Sequence, residues 1–374
     1  DGYGASESIR ISFGNNNTIT TISTSEVGTF GTTWTVNTQI YGTKTVIARG
    51  MSIEQEDSRL YKIIPEITLV SPSIGTVGVI VTVAGNGYDI SETVKVKFGT
   101  TDNIAFGSSS DRGTFSVTFT IDTQAYGTTT IVVTGQGSNA QATNTTLPFV
   151  IQPNIILVTP KQGTVGTIIT VGGNGYGASH TIRVDFGTTR TIQLTSSDAY
   201  GSFSTTWTID TQQYGTTTIT AWDTQIDGVK AYGSTTILPN IIHVSPTSGT
   251  VGTVITLRGN GYGALELIHI LFGVSPTITT TSTDAYGSFT TIFTVDTQSV
   301  GTTTIKAVGM QTNQPVSKYE FRIIPNLTGV TPTQGTVGTV VTLAGDGYLA
   351  NEKVQIDFGT TRTITTVSAN QSGS

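Results

Sequence analysis

One string recurs through the chain: GTVGVIVTVAGNGY from Gly75, GTVGTIITVGGNGYG from Gly163, GTVGTVITLRGNGY from Gly249 and GTVGTVVTLAGDGY from Gly335. Near-copies of a sequence fold as near-copies of a structure, so the repeat fixes the architecture before any single residue does. Pro65, Pro153, Pro239 and Pro325 open the units and stand 88, 86 and 86 residues apart. Full modules therefore span 65–152, 153–238 and 239–324. Residues 1–64 read as a module lacking its first strands, because DGYGASESIRISFG at residue 1 aligns with DGYLANEKVQIDFG at residue 346. Residues 325–374 read as a module lacking its last strands. Two expectations follow for these partial units: they belong to a longer array, or they complete one another between molecules as a head-to-tail filament.

Within a module the apolar residues alternate with polar ones, the period of a half-buried strand. Val94, Val96 and Phe98 share one face, as do Ile182, Val184 and Phe186, and Ile268, Ile270 and Phe272, with Lys95, Lys97, Arg183, Asp185 and His269 facing away. A second alternating run holds Phe203, Thr205, Trp207 and Ile209, matched by Phe115, Val117, Phe119 and Ile121 and by Phe30, Thr32, Trp34 and Val36. A third points Ile219 and Ala221 inward. Nothing has a 3.6-residue period, and the abundant Gly and Thr are poor helix formers, so helix content is expected near zero. In the opening string, Ile169 and Val171 face the core and Gly173-Asn174-Gly175 turns the chain back. Tyr176 is placed on the sandwich edge. A phosphate-binding glycine loop would open a helix, and a strand follows here instead.

Composition narrows the function. The 374 residues carry a net charge of −6 with no Lys/Arg cluster, so neither nucleic acid nor an anionic membrane is an expected partner. No run nears the roughly 20 apolar residues of a spanning helix, so no membrane insertion is expected. There is no Cys, which removes disulfides, thiol catalysis and Cys-ligated metals.

Strands every 8 to 12 residues in units of about 86 describe an all-β tandem array of seven-strand β-sandwiches. The segments SPSIGTVGVIVTVAGNGY and SPTSGTVGTVITLRGNGYG resemble the opening of the IPT/TIG family of immunoglobulin-like domains. DAYGSFSTTWTIDTQQYGTTTITA is similar to the second half of many bacterial cell-surface immunoglobulin-like repeats. The resemblance implies Ig-like modules at the cell surface or outside the cell, used as stalk, spacer or binding unit, with no catalysis and no cofactor. It also makes Tyr41, Tyr126 and Tyr214 candidates for the corner tyrosine of such sandwiches, with Val300 in the fourth copy.

The chemistry-bearing residues are sparse. His180, His243 and His269 show no ligand spacing and read as surface-strand residues. Asp198, Asp284, Asp210 and Asp296 read as turn caps, with calcium between modules as the alternative. No Ser/His/Asp set recurs, and no catalytic or metal-binding residue is assigned. Tyr88, Tyr176 and Tyr262 read as packing residues of one fixed turn; they and Trp222 are also the candidates for stacking on sugars. Sequons at Asn16, Asn144, Asn326 and Asn370 make covalent glycans possible partners. Two functions remain: a self-associating structural rod forming a fibre, stalk or surface layer, or an adhesin or carbohydrate-binding array.

Overall fold

The alternating side chains make strands, and the strands pair in one order in each full module. The computed structural model describes residues 1–312 and 317–374, and no described residue is helical. In the third module, strands Asn154–Thr159, Ile168–Asn174 and Phe203–Thr208 form one sheet in that order. The facing sheet runs Gln162–Gly163, Lys230–Ile237, Gly215–Asp223, Thr181–Phe186, Thr189–Ser196. Only Gln162–Gly163 pairs parallel, the first strand having crossed from one sheet to the other. Counting this split strand once gives seven strands in an Ig-like sandwich. The fourth module repeats the order.

The second module departs at one place. Its last strand is broken into Gln141–Thr143 and Phe149–Ile151 and its neighbour into Gly127–Thr129 and Ile131–Gly135. This module is two residues longer than the others, and the chain bulges out between the broken halves. The buried side chain of Asn144 fills the gap in the ladder: Oδ1 accepts from Ile131 N–H, and Nδ2 donates to the carbonyls of Thr129 and Leu147. An amide side chain thereby substitutes for missing backbone partners.

Each full module encloses its own cluster of apolar side chains. All nine inward residues of the first alternating run in these modules, from Val94 to Phe272, are fully buried. The corresponding second-run residues of the second and third modules, Phe115 to Ile121 and Phe203 to Ile209, are buried as well. The expectation fails at Phe30–Val36. That segment forms no strand, and Val36 is 38% exposed. In the third module the equivalent strand owes its whole ladder to Ile168–Asn174, and no such strand lies beside Phe30–Val36. Residues 1–64 instead form a single four-stranded sheet, and residues 325–374 form two hairpins.

The third core contains one chemical oddity. Trp207 packs edge-on to Phe186 at 5.9 Å, but its indole N–H is buried without an acceptor, where the sister modules place Phe119 and Phe293. An orphan donor costs about 1–3 kcal/mol, which offsets the apolar area that the larger ring buries. W207F is therefore expected to change stability by less than about 1 kcal/mol, unlike ordinary aromatic truncations of about 3–5 kcal/mol; denaturant unfolding of the full chain measures it.

Candidate functional site

The turn that ends the recurring string carries the residue on which each module's end is built. Tyr88, Tyr176 and Tyr262 are fully enclosed rather than laid on the sandwich edge. Their rings meet Phe115, Phe203 and Phe289 edge-on at 5.0, 5.2 and 5.4 Å. Each hydroxyl donates to a strand carbonyl across the core, that of Val133, Ala221 or Ala307. Burial, helped by the nearby carboxylate of Glu92, Asp223 or Glu266, pushes these phenols well above their usual range. They remain neutral donors and present no face to a sugar.

That carboxylate ties the turn to a distant hairpin. Glu92 accepts from Asp89 N–H at 2.6 Å and from Gly137 and Ser138 N–H at 3.1 and 2.9 Å. Glu266 does the same with Gly263, Gln311 and Thr312, and Glu7 with Gly4, Ser52 and Ile53. Opposite each stands a glycine, Gly135, Gly309 or Gly50, where a Cβ would lie 2.4–2.5 Å from the carboxylate. In the third module the arrangement is inverted. Asp223 occupies the glycine position and His180 the glutamate position. The carboxylate now reaches in from the other strand, accepting from Gly177 N–H at 2.9 Å and Gln225 N–H at 2.9 Å. His180 Nδ1 donates to it at 2.9 Å. The charge sits in the same knot in either case.

The carbonyl of the turn tyrosine is used outside its own module. Tyr41 N–H donates to Tyr88 O, Tyr126 to Tyr176 and Tyr214 to Tyr262, each at 2.9 Å, and Val300 to Tyr348 at 3.2 Å. Tyr41 and Tyr126 pack their rings against the core of the following module. These residues are therefore joint residues, not corner tyrosines; no hydrogen bond of their hydroxyls is formed among the described residues. Backbone closeness permits the joint. Gly201 has a φ of +75°, and a Cβ there would stand 2.0 Å from Tyr176 O and 3.0 Å from Ala125 Cα of the preceding module. Two-residue linkers, Ile64-Pro65, Gln152-Pro153, Leu238-Pro239 and Ile324-Pro325, complete each joint between the last strand of one unit and the first of the next.

The remaining candidates fall as follows. Asp198 and Asp284 cap their turns, accepting from Tyr200 and Ser202 N–H and from Tyr286 and Ser288 N–H; Ser25, Ser110 and Asn370 hold the equivalent turns. Asp210 and Asp296 bind Gln212 and Gln298. Trp222 lies under the Lys230 ammonium at 4.3 Å and the Arg183 guanidinium at 5.1 Å, so protein cations already occupy its ring. Of the sequons, Asn326 and Asn370 are exposed, Asn16 is half-buried and Asn144 is buried with its amide nitrogen engaged. The four sites share no common position in the module. Sequence reading missed Glu7, Glu92, Glu266 and Asp223.

No family model matches the chain, and no match is found among curated proteins. Among solved structures the chain is similar to the ICAM-5 D1–D4 ectodomain fragment at 14% identity and a TM-score of 0.23, covering 76% of this chain and 84% of that one. A tetra-tandem repeat in the extending region of a large adhesion protein gives 14% identity, a TM-score of 0.24, and 87% and 93% coverage. Invasin, a bacterial integrin-binding protein, gives 15% identity, a TM-score of 0.24, and 88% and 75% coverage.

The inverted knot makes a double-mutant cycle informative. D223G strands the turn N–H groups and is expected to cost about 1–3 kcal/mol, and H180E, which sets two carboxylates together, about 3 kcal/mol or more. H180E/D223G recreates the sister arrangement and is expected to recover most of the loss in denaturant unfolding; additive losses would refute the shared knot. Acid provides a second check. For Glu92 and Glu266 burial pushes the carboxyl up, but the turn hydrogen bonds outweigh it; for Glu7 the Ile53 and Gly4 N–H groups dominate. All three lie below the ordinary value of 4.5. Their contribution is complete above that value and is lost as pH falls through the lowered folded values. E92Q/E266Q is expected to be less stable at neutral pH yet to lose less between pH 6 and pH 3.

Proposed function

We propose that the protein is a non-catalytic, extracellular structural array: a stiff, self-associating rod of IPT/TIG-like modules serving as fibre, stalk or surface layer. The observation that carries this reading is the repeated joint. Five successive units are coupled by four copies of the same backbone hydrogen bond, from Tyr41, Tyr126, Tyr214 and Val300 to the next turn carbonyl. Each joint also has a linker too short and too constrained by proline to act as a flexible tether. Inter-domain motion is the ordinary expectation for beads on a string; here each unit is tied to the next at two points or more, the linker and the backbone hydrogen bond to the turn carbonyl among them.

The solvent-facing chemistry fits an extracellular support. Polar Thr and Ser side chains cover the outward positions of strands such as Phe203–Thr208, where Ser204, Thr206 and Thr208 are exposed. Charged residues make up only 11% of the chain, which leaves hydration to hydroxyls and to any glycan at the exposed sequons.

Two measurements test the proposal. Electron microscopy of native material is expected to show long regular filaments or a lattice without added ligand; uniformly dispersed short particles would exclude self-association. Inserting Gly-Ser-Gly-Ser between Leu238 and Pro239 should separate Tyr214 from Tyr262 and lower the stiffness seen in small-angle scattering while leaving unfolding unchanged. A parent chain already as flexible as this variant would overturn the rod.

A further inference from the structure

The joint between the third and fourth modules leaves a crevice of about 300 Å³. Tyr214 and Tyr286 line it from opposite modules, with Thr188, Gln213, Thr216 and Thr218 between them. Tyr286 is 56% exposed. Its position is fixed from below by the turn cap of Asp284, which takes its backbone N–H at 2.8 Å. Gln213 Nε2 reaches across the joint to Ala285 O at 3.0 Å and holds the two walls together. No hydrogen bond among the described residues engages the hydroxyls of Tyr214, Tyr286, Thr216 or Thr218.

We infer that this crevice is a binding subsite for a neutral polysaccharide. The chemistry selects that class. No charged side chain lines the crevice, so it offers nothing to offset the desolvation of a phosphate, sulfate, uronate or cation. Aromatic faces beside free hydroxyls and a carboxamide match a hexose, whose ring carries an apolar C–H face and an equatorial belt of donors and acceptors. The backbones of both tyrosines are held before any ligand arrives, Tyr214 by Tyr262 O and Tyr286 by Asp284, which limits the ordering cost of binding to the side chains.

The preceding joint repeats the tyrosine pair without the glutamine tie. Tyr126 and Tyr200 occupy the positions of Tyr214 and Tyr286, Tyr200 is 52% exposed, and Ala125 stands where the next joint has Gln213. The first joint has Arg112 in place of the exposed tyrosine and the last has Val300 and Ser372, so the pair is confined to two consecutive joints. Two tyrosine pairs one module apart favour a long polymer over a short sugar, because the second contact is intramolecular once the first is made. This inference goes beyond the rod reading and is separable from it: loss of binding with stiffness intact overturns only the subsite.

Affinity electrophoresis of the full chain in gels containing laminarin, mannan or dextran tests it, with polygalacturonate as the anionic comparison. Retardation by at least one neutral polymer is expected, and none by polygalacturonate. Y286A should weaken binding about tenfold, the worth of one stacked ring, and Y200A/Y286A should abolish retardation. Y286W should retain it, and Y232A, which removes an exposed tyrosine away from the joint, should leave it unchanged. Q213A provides a second route to weakened binding without touching an aromatic ring. Migration unaltered in all three neutral gels, retardation by polygalacturonate, or full binding by Y200A/Y286A would each overturn the subsite.

Discussion

A backbone carbonyl with two allegiances organises the molecule. The turn tyrosine places its ring in the core of its own module, receives its hydroxyl's anchor from the opposite sheet, and offers its C=O to the module before it. Its own N–H is meanwhile held by Gly113, Gly201, Gly287 or Gly373 O of the neighbouring turn. Internal packing therefore fixes the direction in which the carbonyl points, and that direction fixes how the previous unit docks. Loosening the core would loosen the joint, since no separate set of residues aims the acceptor.

The buried carboxylate belongs to the same constraint. A charge enclosed in a small sandwich is tolerated only when its lone pairs are met. Here they are met by N–H groups of the turn on one side and of a hairpin some 45 residues away on the other. The knot therefore closes the end of the sandwich on which the next contact is built. At the opposite end of each full module a second buried polar group, Gln124, Gln212 or Gln298, is held by Asp122, Asp210 or Asp296, and apolar packing fills the core between the two.

Much of the fold was legible in the sequence, and the reasons are local. The runs through Val94 to Phe98, Ile182 to Phe186 and Ile268 to Phe272 alternate so regularly that face and strand follow together. Phe30 to Val36 shows the limit of that reasoning. Its pattern equals that of Phe203 to Ile209, yet a ladder requires a neighbour, and the pattern does not report whether one is there. The joint was illegible for a similar reason. The Tyr-Gly at residues 41, 126 and 214 is conspicuous, but its partner is a main-chain oxygen, and main-chain atoms leave no signature in a sequence. The glutamate knot was missed because a single acidic residue beside a strand looks like a surface group. The available signal lay in comparing copies with one another: wherever Glu gives way to His at 180, Gly gives way to Asp at 223.

That paired change bears on how such a chain lengthens and shortens. Tandem genes gain and lose units by unequal crossing-over, which splices the front of one copy to the back of another. A crossover falling in the 43-residue step from His180 to Asp223 would join His to Gly, leaving no anion in the knot, or Glu to Asp, leaving two. Recombinants that break within this interval of the third unit inherit a damaged end, whereas breaks at the proline-bearing boundaries exchange whole knots. The two positions of the inverted unit would therefore have to be exchanged together for the knot to keep a single anion.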